Sequence, residues 1–171
     1  MKFAWAMLFA TLGAFAQDPV TKFVERSYAI KTLTGYYLTA ENGGGGTVNS
    51  DRTQRGAWET FVMSQVSPGV FTFKSEKGTY LANAGVGGGG NRQGGGRSGL
   101  SANRRQPDPS AQFKLILVNP EGTLVAIQTS AGTYVTAENS GGMKGARGPR
   151  SVNTNRTEIG EWELFYLEPV N

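Results

Sequence analysis

The chain contains no cysteine and no histidine. The first absence excludes disulfide bonds, thiol nucleophiles and soft-metal thiolate sites; the second excludes imidazole general bases and serine–histidine triads. No metal and no cofactor is expected. Beyond the N-terminus no segment is apolar enough to span a bilayer, and no stretch keeps a helical period. Acidic side chains are missing from Lys77 to Pro107 and again between Glu138 and Glu158.

What is present begins with "MKFAWAMLFATLGAFAQDP". A basic Lys2 precedes an apolar run from Phe3 to Phe15 that closes on Ala14-Phe15-Ala16, the pattern of a secretory leader cleaved after Ala16. The expected product, Gln17 to Asn171, is secreted and extracellular. It has the size of one domain with a real core, held by packing rather than by disulfides.

Three segments align without gaps: "YAIKTLTGYYLTA" from Tyr28, "FTFKSEKGTYLAN" from Phe71 and "VAIQTSAGTYVTA" from Val125. Each alternates apolar and polar residues, turns at Gly35, Gly78 or Gly132, and resumes on an aromatic, which describes a β-hairpin. A glycine-rich loop follows, then "VNSDR", "LSANR" or "VNTNR", then "WETFVM", "FKLILV" or "WELFYL". Aligning Phe113 with Trp58 and Trp162 leaves a short insertion at "QPDPS" in the middle copy. Four strands in each of three copies (about 27–66, 69–119 and 122–168) predict an all-β fold, a β-trefoil with pseudo-threefold symmetry, since three blades are too few for a propeller. Tyr37, Tyr80, Tyr134, Leu38, Leu81 and Val135 are expected to be buried, with Trp58, Phe113 and Trp162 forming one core layer.

The stretches "GYYLTAENGGGGTVNSDRTQRGAWETF" and "GTYVTAENSGGMKGARGPRSVNTNRTEIGEWELF" resemble the repeat of fascin-like, actin-crosslinking β-trefoils: Gly-x-Tyr-Leu-x-Ala-Glu, a variable loop, a short strand ending near Asn or Arg, then Trp-Glu-x-Phe. The resemblance covers all but the leader and a few flanking residues. The second copy departs from it, with Asn83-Ala84 in place of Ala-Glu. The resemblance implies the fold. It also raises actin crosslinking as an alternative activity, although that activity in the family is cytoplasmic and uses several trefoils per chain.

The loops carry the chemistry. From Gly85 to Gly99, nine of fifteen residues are glycine. "GVGGGG" satisfies a dinucleotide-type glycine pattern but lacks the following helix that would receive phosphate. "GMKGARGPR" holds too few triplets for a triple helix. Eight cations lie in the two acid-free loops: Arg92, Arg97, Arg104 and Arg105 in the second copy, Lys144, Arg147, Arg150 and Arg156 in the third. Arginine's planar fork suits sulfate, phosphate and carboxylate, so these residues are candidates for binding a polyanion. Glu41 and Glu138 read as turn hydrogen-bonders, and Asn155 heads the one N-glycosylation sequon, placed on a surface turn. No acid pair suggests an enzyme. The expectation is a secreted non-enzymatic scaffold whose partner is an anionic extracellular polymer, matrix protein or mineral surface, with self-association allowed and neither nucleic acid nor membrane involved. A soluble glycan-binding module is the alternative.

Overall fold

The computed structural model describes residues 25–84, 99–143 and 151–171; the leader lies outside them. Among the described residues twelve strands follow in chain order: β1 Arg26–Thr32, β2 Tyr37–Ala40, β3 Val48–Arg52, β4 Thr60–Ser67, β5 Val70–Lys74, β6 Tyr80–Asn83, β7 Leu100–Arg104, β8 Phe113–Leu117, β9 Leu124–Thr129, β10 Tyr134–Ala137, β11 Val152–Arg156 and β12 Leu164–Pro169. Short 3-10 turns precede β4, β8 and β12.

Six of these strands close on one another. β1 pairs β4, β4 pairs β5, β5 pairs β8, β8 pairs β9, β9 pairs β12 and β12 returns to β1, every pair antiparallel. The other six form the hairpins β2–β3, β6–β7 and β10–β11, which cap one end of the barrel. The fold is a β-trefoil. Closure removes the barrel's own edges, which a chain without disulfides would otherwise expose.

The turns follow from the glycines. Gly35, Gly78 and Gly132 have φ of 94°, 80° and 83°, and each backbone N–H donates to a threonine or serine carbonyl three residues earlier. A side chain at that φ is strained.

The register identifies the core. Tyr28 faces Phe61, Phe71 faces Phe113 and Val125 faces Phe165, one pair in each repeat. A second layer pairs Ile30 with Leu167, Met63 with Phe73 and Leu115 with Ile127. Leu38, Leu81, Val135, Val48, Leu100 and Val152 seal the hairpin end, all of them buried.

This register corrects two expectations. Phe113 is equivalent to Phe61 and Phe165, and the position equivalent to Trp58 and Trp162 belongs to Ser110. Arg104 to Ser110 spans the same six positions as Arg52 to Trp58, and the 3-10 turn Pro109–Ala111 stands where Ala57–Glu59 and Glu161–Glu163 stand. There is no insertion at "QPDPS". Both tryptophans are half-buried rather than in the core, because they sit on the turn before the strand, outside the barrel. Tyr80 and Tyr134 are also half-buried; Lys74 lies over the Tyr80 ring at 5.8 Å and Gln128 donates to the Tyr134 hydroxyl at 3.3 Å. Tyr37 is buried as expected.

The β1–β12 seam carries one polar tie. Lys31 Nζ meets Glu168 Oε1 at 3.0 Å, and the Tyr37 hydroxyl donates to Glu168 Oε2 at 2.8 Å. Burial alone pushes the Glu168 carboxyl up, but Lys31 and Tyr37 together outweigh it and hold it below its ordinary value. The hydrogen bond to Glu168 raises the Lys31 ammonium.

Two predictions follow from this packing. Phe113→Ala is expected to cost about 3–5 kcal/mol, as for a fully buried aromatic, and Trp58→Ala only about 1–2 kcal/mol for its half-buried ring; urea denaturation midpoints check the ranking, and equal losses would contradict it. The seam sets a pH window. A depressed carboxyl contributes stability above pH 4.5 that is lost as pH falls through the folded value, and a raised ammonium contributes below pH 10.5 and is lost above it. Glu168→Gln should therefore lower stability on that plateau by under about 1 kcal/mol, as for a partly exposed pair. It should also flatten the acid limb of a stability–pH curve measured against wild type.

Candidate functional site

The barrel leaves its chemistry to the corners between the third and fourth strands of each repeat. In repeat one, Trp-Glu closes the corner on β3. Arg52 Nη2 donates to both Glu41 oxygens at 3.1 Å, and Nη1 donates to Glu59 Oε1 at 3.1 Å. The guanidinium lies 5.0 Å over the Trp58 ring. Glu59 is buried, and its other oxygen accepts from the Gly56 N–H at 2.8 Å. A buried carboxylate persists only when so paired. Asn49 Nδ2 also donates to Glu41. Glu41 thus holds the third strand as well as opening its own turn.

Repeat three rebuilds most of this clamp. Arg156 Nη2 donates to Glu138 at 3.2 and 3.4 Å, stacks 5.6 Å over Trp162, and Asn153 Nδ2 donates to Glu138. The buried Glu163 accepts from the Gly160 N–H at 2.8 Å. Repeat two, lacking both the glutamate and the tryptophan, substitutes Asp108. Its carboxylate accepts from the Ser110 N–H at 2.9 Å and meets Arg104 Nε at 3.5 Å, while Arg104 Nε donates to Ser110 Oγ at 3.1 Å. The Ser110 hydrogen bond, with Arg104 behind it, holds the Asp108 carboxyl below its ordinary value.

The polyanion candidates therefore divide. Arg104 and Arg156 are engaged in these clamps. Arg105 is exposed. Arg92, Arg97, Lys144, Arg147 and Arg150 lie outside the described residues. Asn155 is exposed but lies within β11 rather than on a turn beyond it. The residues that reading the sequence passed over are Glu59, Glu163 and Asp108. Their signal was the constant six-position spacing from arginine to the corner, hidden in repeat two by aligning Phe113 with the tryptophans.

The hairpins interlock in a ring. Gly45 and Thr47 of the repeat-one loop reach β7, with Gly45 N–H donating to the Ala102 carbonyl at 2.6 Å. Gly99, where the repeat-two excursion returns, bridges to Asn153 of β11. Gly142 of repeat three donates to the Ser50 carbonyl of β3 at 2.7 Å. A Cβ on Gly142 would stand 2.6 Å from Tyr36 Cζ at a φ of +79°, so only glycine allows this approach. The two cation-bearing excursions, residues 85–98 and 144–150, are thus rooted side by side. Ala84 N–H donates to the Gly99 carbonyl, Glu138 N–H to the Ser151 carbonyl, and the Thr154 hydroxyl to Asn83 Oδ1 at 2.9 Å.

With this geometry established, the family model for a domain of unknown function, DUF7910, matches residues 28–147. The chain belongs to the DUF7910 family. No curated protein matches it. Among solved structures this DUF7910 chain is similar to a designed threefold-symmetric protein, ThreeFoil, at 15% identity and a TM-score of 0.66, over 84% of this chain and 99% of that one. It is similar to the BEL β-trefoil at 11% identity and a TM-score of 0.65, over 86% and 96%. It is also similar to a mosquitocidal holotoxin at 10% identity and a TM-score of 0.66, where 87% of this chain covers 18% of that one. At these identities the likeness concerns the β-trefoil fold alone.

The repeats also expose one local mismatch. Asn49 Oδ1, Ser50 Oγ and Asp51 Oδ1, consecutive on β3, are buried without hydrogen-bond partners. In repeat two the Ser101 hydroxyl donates to Asn103 Oδ1 at 3.0 Å, and both other repeats place asparagine (Asn103, Asn155) where repeat one has Asp51. Asp51→Asn removes a partly buried charge and adds an amide donor. It is expected to raise stability by about 1 kcal/mol; a lower denaturation midpoint than wild type would contradict this account.

Proposed function

We propose that this DUF7910 protein is a secreted, non-catalytic scaffold that contacts an anionic extracellular polymer, matrix protein or mineral surface. The observation that carries the reading is the adjacency of the two excursion roots, Gly99 bridged to Asn153. Five cations of two loops far apart in sequence are thereby tethered to neighbouring strand ends, and the exposed Arg105 follows at the far end of β7. One extended polyanion can then engage both sets, and several contacts on one chain gain from their high effective concentration. Arg104 and Arg156 serve a different purpose in this reading, holding the corners that orient the loop roots. The Trp-Glu-x-Phe and Gly-x-Tyr pattern supports a kinship with fascin-like trefoils within the same reading.

Glycan binding has one supporting observation. Half-buried Trp162 borders an open hollow of about 550 Å³ lined by Asn155, Glu158, Glu161 and Glu163, and a ring beside polar groups is a surface that sugars can stack on.

Heparin binding measured across salt concentrations tests the proposal. Wild type should lose on the order of a hundredfold in affinity between about 50 and 200 mM salt, through counterion release. Replacing Arg92, Arg97, Arg105, Lys144, Arg147 and Arg150 with Ser should flatten that slope at an unchanged melting temperature. Arg104→Ser and Arg156→Ser should instead lower the melting temperature. Salt-independent binding that survives the six substitutions would overturn the proposal, and retention of a neutral oligosaccharide that Trp162→Ala abolishes would favour the glycan reading.

A further inference from the structure

The three corners share a backbone but not a charge. Repeat one reads Gln54-Arg55-Gly56-Ala57, and repeat three reads Glu158-Ile159-Gly160-Glu161 at the equivalent positions. All of these residues are exposed. Ile159, at 41% exposure one of the most exposed large apolar side chains among the described residues, stands between two carboxylates. This corner is an apolar knob with an acidic collar.

A complementary hollow lies elsewhere on the same molecule. At the seam of repeats one and two a groove of about 670 Å³ runs between the repeat-one corner, β4 and the β5–β6 turn. Its apolar lining is Ala57, Val62 and Val170, and its cations are Arg55 and Lys74. Val62 is 40% exposed on the barrel wall. The lining holds one acid, Glu76, whose Oε2 lies against the repeat-one turn, 2.5 Å from where a Cβ on Gly43 would stand, so its cations outnumber it two to one.

We infer that the acidic Ile159 knob of one copy docks into the basic groove of a second copy. The occupant follows from charge complementarity: Glu158 and Glu161 meet Arg55 and Lys74, and Ile159 covers Val62 and Ala57. Knob and groove lie on different repeats of a rigid barrel, so they cannot meet within one molecule. Each copy presents one of each, which makes the contact head-to-tail. Such a contact propagates into an open chain unless its rotation closes a ring. The inference deepens the scaffold reading and rests on it, since a chain of copies would align many polyanion-binding loops along one matrix polymer.

Sedimentation velocity of the mature protein without any polyanion tests it. The weight-average mass should rise with concentration at low salt and fall at high salt. The double variant Glu158→Lys/Glu161→Lys should associate about tenfold more weakly or worse, because like charges then face each other across the contact. Arg55→Glu/Lys74→Glu should behave in the same way, with melting temperatures near wild type in both, as expected of exposed side chains. Mixing the two variants should restore association, since the basic knob of the first fits the acidic groove of the second and the acidic knob of the second fits the basic groove of the first. A wild type that stays monomeric over the concentration range, or variants whose mixture does not reassociate, would overturn the inference. The heparin assay is scored separately, so loss of assembly with salt-dependent heparin binding intact would sink this inference and leave the scaffold's polyanion contact standing.

Discussion

Everything in this molecule depends on filling a closed six-stranded barrel without a covalent staple. Each repeat contributes one facing pair to the layer of Tyr28–Phe61, Phe71–Phe113 and Val125–Phe165, and the layer above it is built of pairs that join neighbouring repeats. The Phe73 and Phe113 rings meet at 5.9 Å and a tilt of 57°, an arrangement aromatic pairs favour. Because interiors are packed to crystal-like density, the side chains that meet near the axis are constrained together. The repeats are therefore most alike where their side chains point inward.

Outside the barrel the constraint relaxes, and polar chemistry takes over the task of holding loops to strands. Repeats one and three use an arginine gripped by carboxylate and laid over tryptophan; repeat two reaches a similar corner with aspartate, serine and proline. Two different side-chain sets give one backbone path, because the corner needs its turn N–H groups and its arginine satisfied rather than any particular residue. The ring of hairpin contacts works in the same way. Gly142 against Ser50, Gly99 against Asn153 and Gly45 against Ala102 are backbone approaches that tie each repeat to the next.

Symmetry of the backbone with asymmetry of charge is what the scaffold reading exploits. A strictly threefold molecule would present three identical corners and three identical loops. Here two loops carry cations and one is short and uncharged, while the corner of repeat one carries Arg55 and that of repeat three carries Glu158, Ile159 and Glu161. In the proposal, those departures give the contacts between copies their direction and place the polyanion-binding loops.

Much of the architecture was legible in the residues themselves. Alternation with period two, glycine at the turn and a threefold recurrence determine strands, hairpins and repeat number, because these depend on neighbours in the chain. Leu38, Leu81 and Val135 were identifiable as core for the same reason. The tryptophans were not. Hydrophobicity marks Trp58 and Trp162 as interior, yet their burial depends on which side of the barrel wall the turn lies, and only strand register shows that Phe61, Phe113 and Phe165 occupy the inside. Register also decided that Arg104 and Arg156 are committed to Asp108 and Glu138, since their partners come from turns and strands whose closeness no local pattern encodes. The sequence by itself determined the repeating unit and the uneven placement of charge along it. The tertiary structure alone decided which of those charges neutralise one another, and it set the two loop roots side by side, because closing the barrel brings together strands that lie far apart along the chain.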